Sequence, residues 1–595
     1  MLAPLWSPER AAKRRRTGGW RQQRAREAPD DDDTHDMSHL AAGHLLEWCD
    51  GVESATQVRD HMRNAIRDRI GHPMVKRFSD IGGSGHNGQH CHQGLMRLLG
   101  KCGIHKCITP LPSPSDVSSV LLPSTLIRLL YERYPSMFRI RLGANERMIV
   151  KFWTQFLARA ENAKWAATHP ALRGKLPIEL RLTVPCSMHE DAGPISKLSS
   201  ADCVSWSSIV WEGDEKVTHL LSWSYIKSKS SSLDKSYAWD VFLKDWEALA
   251  TGFVDGQAVA RHDSGEVWSF ALMFAKADEE TRCNAWGLTH WQSADECCTE
   301  CLANRSNRPF TDLRGVAAWR GSAAMPTEHY VARARQPLHP FMASPFFTRW
   351  ACFPDLMHMM DCKGVTAVVL GGILHILPRD ARVGPNQNAR LALINAKLKE
   401  WYDDHPGSNR MPRILLNNVT ADGWADIHGP AIKAACTRSA VGPFRAIWNE
   451  YKRADSRYHT DATSVIDNLA EFYNILYAAP MFMPAESICK LNVACTDFGA
   501  AYLQCREHAR AAGALAWPVR MKMHKMMHVP LMCRVINPVF VQRYAEESLI
   551  GTTAKVYKKS IAGRYHNVAQ RNVLVKRLVA LLLRFHDYEL DRPSV

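Results

Sequence analysis

The sequence has little that would place the chain in a membrane or in the secretory pathway. Its longest apolar run, from Gly364 to Pro378, is shorter than the roughly 20 residues that a membrane-spanning helix needs, and His375 interrupts it. The first residues contain no apolar segment of the kind found in secretory signals. We therefore expect no membrane partner and no secretory signal.

The sequence also lacks internal repeats and a regular cysteine framework. Its 595 residues exceed the length of one ordinary domain, and 46% hydrophobic with 23% charged residues is a globular composition. The 17 cysteines are odd in number and spread over the whole chain. This distribution favours reduced thiols and metal ligands over a set of disulfides.

Acidic residues are scarce in the last part of the chain. Residues 1–36 hold eight Lys/Arg against seven Asp/Glu, a net +1, which leaves +14 of the total +15 for the rest. From Met521 to Arg584, twelve Lys/Arg face only Glu546 and Glu547. This excess predicts a polyanionic partner such as nucleic acid, although a generally basic solvated surface would have the same composition.

Changes in composition and in hydrophobic pattern divide the chain into five parts. Residues 1–36 have almost no apolar content and predict disorder, and the basic cluster Lys13 to Arg26 is typical of a nuclear localisation segment. A linker is predicted at 111–115, within an otherwise helical region. The predicted parts are a disordered tail at 1–36, a helical N-terminal region at 37–170, a sheet-containing part at 177–303, a mainly helical insertion at 304–520, and a C-terminal part with helices at 521–590.

A β pattern begins after Pro177. Three predicted strands form a meander, a helix follows, and a fourth, buried strand comes next, which gives the order β-β-β-α-β and an α/β fold class. The first strand is predicted to end in a turn that contains Asp191, and the fourth to end at Asp278. The predicted elements are strands at Ile178 to Met188, Cys203 to Trp211, Val217 to Ile226 and Val267 to Ala277, and a helix at Leu233 to Thr251.

Two pairs of soft metal ligands lie far apart in the sequence. Cys298 and Cys301 form a C-x-x-C motif, and His524 and His528 form an H-x-x-x-H motif. Two thiolates and two imidazoles make a complete tetrahedral zinc set, so we expect one structural Zn²⁺ that ties the ends of the insertion together. Cys297 is an alternative to Cys298. A second His/Cys-rich piece at 86–107 has no C-x-x-C spacing and is a weaker zinc candidate.

Three carboxylates are spaced regularly around these pairs. Asp278 precedes Cys298 by 20 residues, and Glu547 follows His528 by 19. If the four soft ligands share one ion, Glu547 returns to the sheet that carries Asp191 and Asp278. Three carboxylates at two strand ends and a following helix suit two Mg²⁺ or Mn²⁺ ions, because hard cations prefer oxygen ligands. Asp355 is a rival for the second acid, and Glu546 for the third.

This order of residues resembles the DDE transposases of the CACTA/Mirage/Chapaev group and, more distantly, the catalytic core of the RAG recombinase. Two further stretches add to the resemblance: Asp355-Leu-Met-His358 is similar to a D-x-M-H segment, and Arg543-Tyr544 through Glu547-x-x-x-Gly551 is similar to R-[WY]…E-x-x-x-G. The likeness covers roughly residues 180 to 565. It implies a ribonuclease-H-like mixed sheet interrupted by a large helical insertion.

The resemblance implies a DNA nuclease and strand transferase with Asp191, Asp278 and Glu547 as catalytic residues, acting in the nucleus, as a homo-oligomer and without a small-molecule cofactor. Two departures, Asp191-Ala192-Gly193 and Asp278-Glu279-Glu280, favour the alternative of an inactive, domesticated DNA-binding relative. A structural interaction protein is a third reading. The basic side chains expected to contact DNA phosphates are Lys522, Lys525, Arg543, Lys555, Lys558, Lys559 and Arg564.

Overall fold

The computed structural model describes most of the chain after residue 32. Residues 1–32 of the predicted tail, its nuclear localisation segment and the linker residues 112–115 lie outside the described residues. The prediction of disorder is wrong for residues 33–36, which begin the helix Asp33–Cys49. The described residues are 33–67, 76, 78–81, 88–101, 104–111, 119–196, 199–211, 219–226, 232–293, 295–421, 423–541, 545–561 and 566–590.

The described chain forms two compact units. We call them the helical unit, which contains residues 288–335 and 354–541, and the sheet unit, which contains residues 33–287, 336–353 and 545–590. The sequence interpretation assigned 336–353 to the helical insertion. In the structure these residues group with the sheet unit instead, and they include most of a fifth strand.

The sheet unit contains a mixed five-stranded sheet, so the protein is of the α/β class. The sheet order is β3-β2-β1-β4-β5; β2 pairs antiparallel with both β1 and β3, whereas β4 runs parallel to β1. The strands are β1 Thr183–Pro194, β2 Ser200–Ser208, β3 Leu220–Ile226, β4 Ser269–Ala277 and β5 Cys352–Pro354.

Strand β1 begins and ends later than the sequence pattern indicated. Residues 178–182, predicted as its first part, form turns, and the strand starts at Thr183. The predicted turn around Asp191 is wrong, because the strand continues to Pro194, where it still pairs with Ser200 of β2. On its other side it pairs with β4 as far as Glu190, opposite Ala277. Pairing on both sides keeps polar residues in extended conformation, and Asp191 is only 4% exposed.

The two faces of the sheet are covered by different helices. Successive strand residues point to opposite faces, so Asp191 and Gly193 share one face and Glu190 lies on the other. The helix Ala545–Ile561 packs on the Asp191 face: a Cβ added to Gly193 would lie 2.6 Å from Cγ2 of Ile550. The helix Ser232–Thr251 packs on the opposite face, where Trp246 meets Trp206 of β2 edge-on at 5.4 Å.

Helices surround the sheet, and the first of them share a core with the last. Trp48, Val58 and Leu95 pack together with Leu574 and Val579 near the C-terminus. The α-helices of this unit are Asp33–Cys49, Ala55–Arg67, Gly88–Lys101, Pro123–Arg133, Pro135–Arg141, Glu146–Leu157, Ala160–Ala166, Ser232–Thr251, Glu279–Asn284, Pro340–Ala343, Ala545–Ile561 and His566–Leu590, with 3-10 turns at Ile104–Cys107 and Arg349–Ala351.

The helical unit is built around the apolar helix Val365–Ile376, in which every residue but His375 is buried. Gly371 and Gly372 allow the backbone at Asp426 and the ring of Trp517 to approach it closely. The other α-helices are Thr327–Ala332, Leu356–Met360, Gln387–Asp404, Ala434–Ser439, Val441–Tyr451, Arg457–Ala478, Ala485–Ala511, Met521–Met526, Val529–Met532 and Pro538–Val541, with 3-10 turns at Ala318–Ser322, Leu377–Arg379, Ala381–Val383 and Leu416–Asn418.

By length and composition alone, the 24-residue stretch Leu356–Arg379 would be apolar enough to cross a membrane. However, 83% of its most apolar window is buried inside the protein, as in a core helix packed by its neighbours. The absence of a membrane partner remains a prediction.

Three short antiparallel ladders of two residues per strand complete the described secondary structure. They are Thr109–Pro110 with Ser119–Val120, Phe253–Val254 with Gln257–Ala258, and Thr420–Ala421 with Trp424–Ala425.

The close approach at Gly193 gives a stability prediction. Gly193→Val should lower the free energy of unfolding by about 1–3 kcal/mol, because the new side chain overlaps Ile550 and the helix has to shift. Gly551→Ala in the same helix is the control: nothing lies within 4 Å of its added Cβ, so stability should be unchanged or rise by up to about 1 kcal/mol. Urea denaturation measures both. Equal stabilities of the two variants would contradict the packing described.

Candidate metal centre and catalytic carboxylates

The four predicted soft ligands converge inside the helical unit. The Nε2 atom of His528 lies 3.7 Å from Sγ of Cys298, and Nε2 of His524 lies 3.2 Å from Sγ of Cys301. The two Nε2 atoms are 3.2 Å apart, and all four ligand atoms lie within 4.8 Å of one another. We call these residues the Cys/His cluster. All four side chains are buried.

These distances match the edges of a metal-centred tetrahedron. With bonds of about 2.3 Å to sulfur and about 2.0 Å to nitrogen, the ligand atoms of a tetrahedral zinc ion lie about 3.3–3.8 Å from one another. The observed separations of 3.2 and 3.7 Å fall at or close to this range. The donor set and its spacing therefore fit one Zn²⁺ with no open position, which is the arrangement of a structural site.

Local helix geometry brings the two imidazoles together. His524 lies in the helix Met521–Met526, and His528 is the residue that precedes the helix Val529–Met532. Residues four apart on consecutive helical turns share a face, so both rings point towards the knuckle formed by residues 297–303. That knuckle has no helix or strand of its own, and the amide of Cys297 closes it by donating to the carbonyl of Ala303 at 3.0 Å.

The structure separates Cys297 from Cys298. The Cys297 thiol donates to the Ala303 carbonyl at 3.3 Å. The Cys298 sulfur instead accepts a hydrogen bond from the amide of Glu300 at 3.3 Å. Among the described residues, the group that could hold a metal here includes Cys298 and does not include Cys297.

An aromatic side chain that the sequence pattern did not single out fixes the two imidazoles. The ring of Trp319 lies edge-on to His524 at 4.3 Å and to His528 at 5.1 Å. Within the described chain the buried Nδ1 atoms of both histidines have no hydrogen-bond partner, so packing and not a second hydrogen bond orients the rings. Trp319 is itself anchored by its indole N–H, which donates to the carbonyl of Asp312 at 2.7 Å.

Burial and mutual contacts shift the pKa values of the cluster. Burial raises the pKa of the Cys301 thiol, and the neighbouring Cys298 sulfur raises it further. Burial also opposes ionisation of Cys298, but the hydrogen bond from Cys301 and the nearby His524 outweigh it, so that the pKa of Cys298 lies well below its usual value. Burial lowers the pKa of His524 and keeps its imidazole neutral, which is the form that binds metals.

Asp191 and Asp278 lie next to the last pair of residues between the parallel strands β1 and β4. In that pair Glu190 of β1 lies opposite Ala277 of β4; Asp191 is the next residue of β1, and Asp278 is the first residue after β4. Continuing the alternation of the strands, both aspartates belong to the face covered by the helix Ala545–Ile561. The Asp191 carboxylate accepts from the Ala192 amide at 2.7 Å, and Asp278 caps the helix Glu279–Asn284 by accepting from the Thr281 amide at 2.6 Å.

The third predicted acid, Glu547, lies in the first turn of the helix Ala545–Ile561, three residues before the Ile550 that meets Gly193. Its side chain, and that of the rival Glu546, lie outside the described part of the structure. The backbone therefore carries position 547 on the helix that covers the Asp191 face.

Glu190 is a buried carboxylate next to Asp191 that has a different role. It accepts hydrogen bonds from the indole N–H of Trp286 at 2.6 Å and from the hydroxyl of Tyr225 at 3.4 Å. Burial, together with the Glu190 charge, raises the pKa of Tyr225 well above its usual value. These donors lie on the face opposite to Asp191, so Glu190 stabilises the packing there.

The rival Asp355 lies in the helical unit, where it caps the helix Leu356–Met360. Its carboxylate accepts from the amides of Met357 at 2.7 Å and His358 at 3.2 Å, and it pairs with the His358 ring at 2.9 Å. These contacts account for the Asp355-Leu-Met-His358 pattern as a capped helix start.

Two of the predicted DNA contacts are engaged inside the helical unit. Lys525 is only 2% exposed, and its ammonium donates to the Thr299 hydroxyl at 3.0 Å, so the prediction that it faces DNA is wrong. Thr299 of the knuckle therefore lies beside the helix Met521–Met526 where Lys525 projects from it. Lys522 is half-buried and donates to the carbonyls of Cys362 at 2.9 Å and Lys363 at 3.2 Å.

Three other predicted contacts lie on the helix Ala545–Ile561. Lys555, Lys558 and Lys559 are exposed, and Lys559 donates to the carbonyl of Val52 at 3.0 Å. Arg543 and Arg564 lie outside the described residues.

The described residues of the His/Cys-rich piece at 86–107 do not bring their ligand atoms close enough together to hold one metal ion. Cys91 is buried and accepts from the Arg59 guanidinium at 3.3 Å, while the His92 ring packs against Trp48 at 5.5 Å. His90 is exposed, and His86 and Cys102 lie outside the described residues.

None of the protein-family models compared with the sequence matches it, and no curated protein matches it either.

We predict that the Cys/His cluster binds one Zn²⁺ tightly. Cys301→Ser should remove one metal equivalent and lower the melting temperature by about 5–10 °C, because a buried site loses a ligand. Cys297→Ser is the matched control and should keep the metal, since its thiol contacts Ala303 instead. Metal content by mass spectrometry and differential scanning calorimetry measure both effects. Equal metal content in the two variants would show that the cluster does not bind zinc.

Proposed function

We propose that the protein is a transposase-like DNA nuclease and strand transferase that acts on phosphodiester bonds through Asp191, Asp278 and Glu547. The observation that carries this proposal is the position of Asp191 in β1 beside the end of the parallel strand β4, which Asp278 follows, together with the helix that contains Glu547 and covers the Asp191 face.

The sheet order supports a ribonuclease-H-like core. An antiparallel meander of three strands is followed by the helix Ser232–Thr251, and the next strand lies parallel to the first, which gives the order β3-β2-β1-β4-β5. The fold suggested by the sequence resemblance has this order of elements, and the first and fourth strands are the ones expected to carry the two aspartates.

The carboxylates fit hard divalent cations. Asp191 and Asp278 supply oxygen ligands, and a carboxylate as deeply buried as Asp191 needs compensating charge or hydrogen bonds. Mg²⁺ or Mn²⁺ bound there would activate a water molecule or a DNA 3′-hydroxyl and would stabilise the leaving oxygen. Asp191, Asp278 and Glu547 would hold the ions.

The chain itself positions these ligands. Asp191 is fixed by the pairing of β1 with β2, where it lies opposite Cys203, and Asp278 is fixed by its bond to the Thr281 amide. Gly193 lets the helix Ala545–Ile561 approach β1 closely at Ile550, three residues after position 547. Such rigid backbone positions keep two reacting groups oriented, which is the main protein contribution to phosphoryl transfer.

The Cys/His cluster supports the same proposal. Its two halves come from segments 223–230 residues apart, each about 20 residues from one of the proposed catalytic acids along the chain. This pairing of a soft-ligand set with a hard-ligand set is what the resemblance implies.

A second function, non-catalytic DNA binding, is favoured by one observation. Asp191 is 4% exposed, whereas a catalytic ligand has to share its ion with a substrate phosphate. A domesticated relative would keep the fold, the Cys/His cluster and the exposed lysines without cleaving DNA.

The catalytic proposal predicts a selective loss of activity. Asp278→Asn and Glu547→Gln should each reduce Mn²⁺-dependent nicking of supercoiled plasmid by about 100-fold or more, because a charged ligand is lost. Asparagine also caps helices well, so the Asp278 variant should stay folded. Glu280→Gln, an exposed neighbour, is the control and should keep full activity.

Asp355→Asn separates the rival assignment, since asparagine preserves that helix cap as well. Loss of nicking in this variant together with full activity in Asp278→Asn would contradict the assignment of the second acid. Absence of nicking in the wild type, with intact DNA binding, would favour the second function.

DNA binding, which both functions require, predicts a role for the exposed lysines. Lys555→Gln and Lys558→Gln should each weaken binding and reduce the slope of log K against log salt by about 0.9, because one phosphate contact is lost. Lys399→Gln, on an exposed face of the helical unit, is the control. Fluorescence anisotropy at several salt concentrations measures the slope. An unchanged slope in the first two variants would exclude this face from the DNA interface.

A further inference from the structure

Three side chains near the start of the sheet unit form a second group with metal-ligand chemistry. His44 lies in the helix Asp33–Cys49, His61 in the helix Ala55–Arg67, and Glu53 in the turn between them. Nδ1 of His44 lies 3.1 Å from both carboxylate oxygens of Glu53, and its Nε2 lies 3.2 Å from Nδ1 of His61. Nδ1 of His61 is 3.8 Å from Glu53.

We propose that His44, Glu53 and His61 form a second zinc site, independent of the Cys/His cluster and of the proposed catalytic carboxylates. One ligand atom from each residue lies within 4.8 Å of the others, so a single ion could contact all three after small movements of the side chains. Two imidazoles and one carboxylate are a set that binds Zn²⁺ with one position left for water or another ligand.

The exposure of the three residues agrees with an open position. The Glu53 and His44 side chains are largely buried, at 8% and 13% exposed, whereas His61 is 41% exposed. A metal held here would be anchored from the protein side and would face solvent on the side of His61. Structural zinc sites are closed by four protein ligands, so this group differs in kind from the Cys/His cluster.

The turn that carries Glu53 is fixed by contacts outside the group. Asp50 forms ion pairs with Arg577 at 2.8 Å and with Arg584, both from the helix His566–Leu590. Lys559 donates to the carbonyl of Val52. These anchors hold the backbone on the N-terminal side of Glu53 in place whether or not a metal is bound.

A reciprocal cap fixes the other side of the turn. The amide of Ser54 donates to the Gln57 side chain at 2.7 Å, and the amide of Gln57 donates to the Ser54 hydroxyl at 3.2 Å. This capping box starts the helix that carries His61. The ligands therefore come from a preorganised turn, which is what a metal site needs from its surroundings.

The same three residues can form a hydrogen-bonded chain without metal. In that form His44 donates to Glu53 through Nδ1 and accepts from His61 through Nε2, so one proton occupies the space between the two rings. A metal ion would take the place of this hydrogen bond, and the proton would move to the other nitrogen of the His61 ring. The two forms therefore differ in whether zinc is bound.

The test is zinc binding by the full-length chain, measured as the number of zinc equivalents bound per chain. Wild type should bind two zinc equivalents, Cys301→Ser one, and His61→Ala one. His61→Ala is the chosen change because the ring is partly exposed and its loss leaves the core intact. His90→Ala, another exposed histidine of the same unit, is the control and should bind two.

Glu53→Gln should weaken zinc affinity at the second site while leaving the melting temperature of the metal-free protein within about 2 °C. If His61→Ala and Glu53→Gln keep both equivalents, the three residues form a hydrogen-bonded chain only and the proposal is overturned. If only Cys301→Ser binds less zinc than the wild type, the proposal is also overturned. Neither result depends on DNA cleavage.

Discussion

The helical unit depends on one convergence, that of two sulfurs and two imidazole nitrogens in a dry pocket beneath Trp319. Residues 288–317 contain no helix or strand among those described, apart from an isolated bridge between Asn304 and Pro309. Such a segment has few backbone hydrogen bonds to define it, so side-chain contacts have to fix its conformation. A zinc ion in the Cys/His cluster would add four directional bonds to this segment. Thr299, Glu300 and Lys525 beside the cluster are also buried.

In the sheet unit, the strand alternation decides which carboxylates can act together. Asp191 and Glu190 are neighbours in sequence and equally buried, yet they serve opposite faces, and only Asp191 shares a face with the helix Ala545–Ile561. The bonds from Trp286 and Tyr225 give Glu190 a packing role. Asp191, by contrast, comes one residue after the last pair between β1 and β4, and Asp278 is the residue that follows β4. A shift of one residue in the pairing of β1 would exchange the two roles.

Much of this arrangement could be predicted because the decisive patterns are local. Alternating and apolar runs located four of the five strands and the helix Ser232–Thr251. Ligand spacing selected the four residues that converge in the Cys/His cluster, with Cys298 and not Cys297 in the group, and zinc binding stays a prediction. The end of β1 was missed because polar residues from His189 to Gly193 look like a turn, and only pairing with two neighbours keeps them extended. The strand β5 has three residues, too few for any period to show. The burial of Lys525 depends on contact with Thr299, 226 residues away, which no local pattern encodes.

The central claim is that this chain holds two chemically different kinds of metal site, one of soft and one of hard ligands. Anomalous diffraction from one crystal grown with Zn²⁺ and Mn²⁺, measured at both absorption edges, tests it most directly. The account predicts a zinc peak about 2.3 Å from the sulfurs of Cys298 and Cys301 and a manganese peak between the carboxylates of Asp191 and Asp278. A Cys/His cluster without a zinc peak, or aspartates that bind no manganese, would contradict it.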